Sequence, residues 1–246
     1  MLFRILSITF ICFFLSSCSS NYTWGWYIIN PFIDSGSTNI QFLFSGIWIT
    51  LLISFFSIIF SLILGLIIVF PGISKNKYLK LINRIYVEFI RAIPLLVLLL
   101  WVYYGLPILF GISLSPFVAG IISLALSDSA FEAEIFRAGI ESIPKGQHEA
   151  SNSLGLNYFQ KMKLIILPQT IKLILPPICN QFIYIVKMSS LVSIVGLADL
   201  TRKANELVVS VYRPLEVYTF LVLEYLLLIL IISYFVRLLE KKLKKY

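Results

Sequence analysis

Apolar positions in this chain come in blocks too long for one side of a soluble helix. No Asp, Glu, Lys or Arg stands from Ser35 to Ser74, nor from Ala92 to Ser127. A helix rises ~1.5 Å per residue, so about 20 apolar residues cross the ~30 Å hydrocarbon layer of a bilayer, and each interval holds at least one span. The stretch "GLPILFGISLSP", Gly105 to Pro116, has the glycine and proline punctuation of a turn and divides the second interval into two helices. Apolar spans are therefore placed at about residues 4–17, 43–70, 86–105, 116–136, 164–190 and 215–236. The pattern is all-α, with five core spans behind a shorter first segment.

One polar block interrupts this series, "GQHEASNSLGLNYFQKMKLIILPQ" from Gly146 to Gln169. Pro144 suits the first turn of a helix and Gly155 its left-handed stop, which bounds a helix of about ten residues. Ala150 and Leu154 share its narrow apolar face. Asn157 is placed to cap a second helix in which Phe159, Met162 and Ile166 recur, and Pro168 kinks or ends it. A helix lying on lipid headgroups carries a broad apolar face and a strongly cationic one. Gly146 to Gly155 has neither, which points to a fit in a protein groove instead.

Composition places the pattern in a membrane. The chain is 59% hydrophobic and 13% charged, with mean hydropathy +0.93, against roughly 25% charged in a soluble domain. The net charge of +8 does not indicate nucleic acid, because the cations lie in short loops and a tail between the spans. Read as topology signals, fifteen of the twenty cations fall on one side and Arg202, Lys203 and Arg213 on the other. The cation-rich side is cytoplasmic by the positive-inside rule, and it holds the Gly146–Gln169 block and the C-terminus.

Residues 1–18 read as a secretory signal or N-terminal anchor, and "LSSC" ending at Cys18 fits a bacterial lipid-attachment box. Residues 19–41 then form an extracytoplasmic segment, and 42–242 the transmembrane domain. Cys12, Cys18 and Cys179 have no metal-ligand spacing, and neither a metal nor another cofactor is expected.

At this point the residues resemble a known family. Glu149-Ala150, Gly155 and "IILP" ending at Pro168 resemble the EAA loop of permease subunits of ATP-binding-cassette importers. "YVEFIRAIPLL", "EIFRAGIESIPKGQHEA", "LPQTIKLILPPICNQF", "SSLVSIVGLADLT" and "YRPLEVY" extend the likeness over roughly residues 40–242, towards the polar amino acid permeases in particular. The resemblance implies the type I importer permease fold in a bacterial inner membrane, with a cytoplasmic coupling loop at about 137–168. It also implies a separate ATPase subunit, an extracytoplasmic amino acid binding protein, and a second permease subunit that is a copy or a relative. The solute it implies is glutamine, arginine, histidine or similar. Gly146, Glu149, Ala150, Ser151, Leu154, Gly155, Leu167 and Pro168 fall on the ATPase-coupling loop. Ser151 stands where the family usually has alanine, Gln181 where it often has glutamate, and Met188 where it often has an acid. Glu132 and Glu224 are acids where the family rarely has them.

Ionised groups inside a span cost at least roughly 2.5–3.5 kcal/mol each on insertion scales, so they face a bundle interior, water or a partner. Glu88 and Arg91, three apart on one helical face, are placed to pair with each other or to line the path. Asp128 and Lys187, with hydroxyls at Ser127, Ser189 and Ser190, offer an acid and a base complementary to an amino acid. They form a candidate solute path, or else bond to each other or to nearby backbone. An integral membrane enzyme acting on lipids would need a nucleophile and base, and His148 is the sole imidazole, with no evident Ser or Cys partner. No glycine is followed by lysine, so the phosphate-cradling G-x-x-x-x-G-K-[ST] loop is absent and ATP hydrolysis falls to another chain. A passive channel needs no docking helix. A permease of this superfamily for another small solute remains the alternative within the class.

Overall fold

The computed structural model describes residues 22–74 and 76–243, so the signal or anchor segment and Cys18 lie outside the described residues. All regular structure among those residues is helical. Helix α1 (Asp34–Phe44) runs through Ser45 into α2 (Gly46–Ile73), and the two form one long apolar rod. The helical start at Asp34 was not legible from hydropathy, because "DSGSTN" is polar and made of poor helix formers.

The expected span at 86–105 is corrected by the structure. Helix α3 (Lys77–Ala92), capped by the Asn76 side chain accepting from the Tyr78 N–H at 2.9 Å, stops at Ile93. Proline at 94 holds Ile93 in extended backbone (φ −88°, ψ 122°), and the chain turns by 94°. The apolar arm beyond consists of α4 (Leu95–Leu100), a π-helical turn at Trp101–Gly105 and α5 (Leu106–Phe110), stopped by Gly111 at φ 68°. The charged positions of this region therefore lie on α3, off the crossing segment.

Helix α6 (Pro116–Glu141) is capped by Ser115, and α7 (Lys145–Ser153) and α8 (Tyr158–Lys161) form the polar block. A π-helical turn, Met162–Ile166, then leads into α9 (Leu167–Met188), so Pro168 neither ends nor breaks the helix. The wider turn just ahead accommodates the proline, a common place for π geometry. A 3-10 stretch (Ser189–Val195), α10 (Leu200–Val211) and α11 (Pro214–Leu243) complete the chain. Four helices among the described residues are long and apolar enough to cross a bilayer, or five if the bent pair counts as one span. Counted in that second way, the described residues hold the five core spans expected from the sequence.

The core is the seam between α2 and α6. Thr50, Ser54, Ser57 and Ser61 recur every three or four residues on α2, and all are fully buried. Lipid tails are as apolar as leucine, so spans associate by close packing and hydrogen bonds rather than by the hydrophobic effect. Ile53 meets Gly120, Ser61 meets Asp128 and Gly65 meets Glu132, with a constant offset, so the two helices run parallel and in register. A Cβ at Gly65 would lie 2.7 Å from Glu132 Cβ, which is why glycine stands there. Further along α6, helix α9 packs against it, with Gly139 closing on Ile174 and Thr170.

Candidate functional site

Between α6 and α9 the chain leaves the bundle. Helix α7 ends as a Schellman motif: Leu156 N–H donates to Ser151 O at 3.2 Å, Gly155 N–H donates to Asn152 O at 2.9 Å, and Gly155 sits at φ 71°. Asn157 and Gln160 form a reciprocal capping box at 2.9 and 3.0 Å that starts α8. Lys161 Nζ donates to Asn152 Oδ1 at 3.2 Å and ties the two helices together. The helix, sharp turn and helix read from the sequence are all present.

This unit presents its surface outward. Gly146, Glu149, Ala150, Leu154 and Gly155 are exposed, Leu154 at 74% and the neighbouring Phe159 at 82%. A side chain added at Gly146 or Gly155 would meet nothing of this chain within 4 Å. Ser151 differs from the rest: it is fully buried, on the side of α7 turned to the chain, and its Oγ donates within the helix to His148 O at 2.7 Å. Leu167 and Pro168 are exposed just past the π turn, and Leu167, Tyr158, Phe159 and Met162 line an apolar groove of about 670 Å³. Phe159 was assigned from sequence only to the second helix's apolar face, yet it is the most exposed large hydrophobic side chain of the unit.

A second feature gathers charged side chains between α3 and α6 and reaches α9. Two contiguous grooves, of about 370 and 400 Å³, share Arg91 and Glu134. Each falls in the ~300–1,000 Å³ range of small-molecule sites. The expected pairing of Glu88 with Arg91 is not made. Glu88 accepts from Arg84 at 2.7 Å, one turn earlier, whereas the Arg91 guanidinium stacks on Phe131 at 4.8 Å. An (i, i+4) spacing brings the Arg84 fork onto the carboxylate and leaves Arg91 to the facing helix. Glu134 is held by Arg137, so Arg91 has no ion pair among the described residues. Phe131, Pro177, Asn180 and Gln181 complete the second groove.

Asp128 and Lys187 are not brought together. Asp128 is 2% exposed and accepts from Ser61 Oγ at 2.5 Å and Gln181 Nε2 at 3.0 Å. Lys187 is exposed at the last turn of α9. Ser189 and Ser190 donate to the Val186 and Lys187 carbonyls at 2.9 and 2.8 Å, which occupies their hydroxyl protons within the helix. The expected acid–base pair is thus replaced by a Ser61–Asp128–Gln181 bridge across α2, α6 and α9. One signal for it was readable: Ser61 continues the small polar repeat of α2. Glu132, fully buried one turn below Asp128, and Glu224, 4% exposed in α11, have no hydrogen-bond partner among the described residues.

At the other end of the bundle, sequence reasoning missed a latch. Glu216, fully buried at the start of α11, accepts from the Tyr22 hydroxyl and the Gly25 N–H. Arg213 donates to the Thr23 carbonyl at 2.5 Å. No sequence pattern links positions separated by some 190 residues.

Comparison with known proteins gives the wider setting. Residues 61–245 match the family described as "Binding-protein-dependent transport system inner membrane component". The chain is 42% identical over 207 residues to the probable glutamine ABC transporter permease protein GlnM of Bacillus subtilis (strain 168), covering 84% of this chain and 95% of that protein. It is 38% identical over 205 residues to the arginine transport system permease protein ArtQ of the same organism, covering 83% and 94%. Among solved structures it resembles an amino acid ABC transporter crystallised with histidines, at 37% identity and a TM-score of 0.81, over 90% of this chain and 100% of that one.

Proposed function

The chain belongs to the family of inner membrane components of binding-protein-dependent transport systems, and from that premise we propose that it conducts a polar amino acid across the membrane as the permease subunit of an ATP-driven importer. It is a multi-pass membrane permease and not an enzyme; ATP is hydrolysed by a partner. The glutamine and arginine permeases it resembles support a polar amino acid with a nitrogen-bearing side chain as the solute.

The observation that carries the coupling assignment is helix α7. It stands between two spans, presents Glu149, Ala150, Leu154 and the open space over Gly155, and puts only Ser151 to use in its own packing. We read it as the knob received by a groove on the ATPase subunit, with Phe159 at its rim. The block then lies in the cytoplasm with the C-terminus, in line with its cations. ATP can shift the permease only as far as the docked ATPases differ in affinity for its two states, so the rigidity of the capped α7–α8 unit matters.

The solute path is assigned to the groove from Arg91 to Gln181, apolar for most of its wall with a few polar groups set in it. A guanidinium without an ion pair, stacked on an aromatic ring, is a bidentate anchor for a carboxylate. The groove opens on the surface of a single chain, so a second permease subunit closes it, and the binding protein delivers solute from the far side. Glu88 and Lys187 fall outside this assignment, and Asp128 acts from behind it.

The test is reconstitution in liposomes with the ATPase and binding protein, followed by uptake of labelled glutamine and arginine. ATP-dependent accumulation is expected. Uphill accumulation by the permease with no ATPase present, or failure of any ATPase to co-purify with it, would refute the reading.

A further inference from the structure

We propose that Asp128 is a positioning residue that sets the hydrogen-bond polarity of the groove: it turns the Gln181 amide so that its carbonyl faces the solute, which selects side chains that donate hydrogen bonds and rejects a second carboxylate. The inference rests on the groove being the solute path.

Both oxygens of Asp128 are engaged, Oδ2 by Ser61 Oγ at 2.5 Å and Oδ1 by Gln181 Nε2 at 3.0 Å. A carboxylate only accepts, whereas a primary amide carries donors on nitrogen and lone pairs on oxygen. The nitrogen of Gln181 must therefore face Asp128, and a flipped amide would set two acceptors against each other. The amide oxygen is left over. It accepts no hydrogen bond among the described residues and is not sealed in the protein interior, and Gln181 lines the groove with Arg91, Phe131 and Asn180.

The groove thus offers donors at Arg91 and an acceptor at Gln181, with the Glu134 carboxylate on its wall tied to Arg137. An amino acid placing its α-carboxylate on Arg91 presents its side chain towards the acceptor. Glutamine, arginine and histidine have N–H groups to give it. Glutamate has only lone pairs there and would leave two acceptors facing each other, the kind of mismatch by which hydrogen-bonding sites discriminate strongly. Ser61, on the far oxygen, holds Asp128 in place without touching Gln181.

The permease–ATPase complex in lipid nanodiscs, with the binding protein left out so that it imposes no preference, is titrated with labelled glutamine and glutamate. Wild type should favour glutamine at least about tenfold, the cost of leaving a buried acceptor without a donor. Asp128→Asn, which frees the amide to flip, should bring the ratio to within about threefold of unity. Gln181→Met removes the acceptor while keeping the Asp128 charge, and should do the same. Ser61→Ala should retain the preference. General damage weakens both ligands together and leaves their ratio intact, so the ratio separates positioning from folding, and Gln181→Met decides if Asp128→Asn does not assemble. A wild-type ratio in Gln181→Met overturns the proposal by making charge repulsion sufficient. A wild-type ratio in assembled Asp128→Asn overturns it as well. Binding of neither amino acid to wild type removes the solute reading itself.

Discussion

Replacing Gly155 by aspartate separates the folding of the coupling loop from its docking. Gly155 sits at φ 71°, where an L-residue costs roughly 1–2 kcal/mol and aspartate, which can bond locally, sits at the low end. An added Cβ meets nothing within 4 Å, so no steric cost accompanies the strain. Against typical stabilities of roughly 5–15 kcal/mol the variant folds and inserts. Its effect falls on the open side, where a partner would rest. An unpaired carboxylate buried in an interface costs roughly 2–5 kcal/mol, about 30- to 5,000-fold in docking. Substrate-stimulated ATP hydrolysis by the reconstituted complex should therefore be lost, with membrane insertion intact. Gly155→Ala supplies the control: it carries the larger backbone strain without the charge, and should keep most of the stimulation. Stimulation in Gly155→Asp within about twofold of wild type, or a greater loss in the alanine variant, would refute the reasoning.

Other outcomes follow from packing and titration. Gly65→Ala puts a methyl 2.7 Å from Glu132 Cβ and 3.0 Å from Ala133 N, and should destabilise the α2–α6 seam by roughly 1–3 kcal/mol, read as a lowered thermal midpoint; Gly146→Ala, with open space around it, should not lower it. Asp199, outside the spans, caps α10 by accepting from Arg202 N–H at 2.8 Å, and burial pushes its pKa up from 3.8 to about 6. The native state then holds an extra proton between those values, so stability falls as pH rises through that window, by roughly 3 kcal/mol at most. Asp199→Asn keeps a capping oxygen without titrating, and its thermal midpoint should gain on wild type between pH 4 and about 7. Glu216→Gln should loosen the latch, with amide exchange at Gly25 and its neighbours at least about tenfold faster by mass spectrometry; unchanged exchange would show that the latch holds without the charge.

Local physics made much of this protein legible in one dimension. Charge-free runs set the spans, because a bilayer penalises each ionised group inside it. Pro144, Gly155 and Asn157 set the coupling loop, because caps and left-handed stops depend on a few adjacent residues, and the structure follows them to the Schellman bond and the capping box. Where the outcome depended on which helix faces which, the sequence was silent or misled. Glu88 chose Arg84 over Arg91 because Phe131, on another helix, holds the guanidinium. Asp128 bonded to Ser61 and Gln181 rather than Lys187 because α2 and α6 run parallel in register and α9 closes on them. Spacing along one chain reports neighbours on one helix, while partners across helices are decided by packing, and only the folded bundle brings residues 61, 128 and 181 to one point.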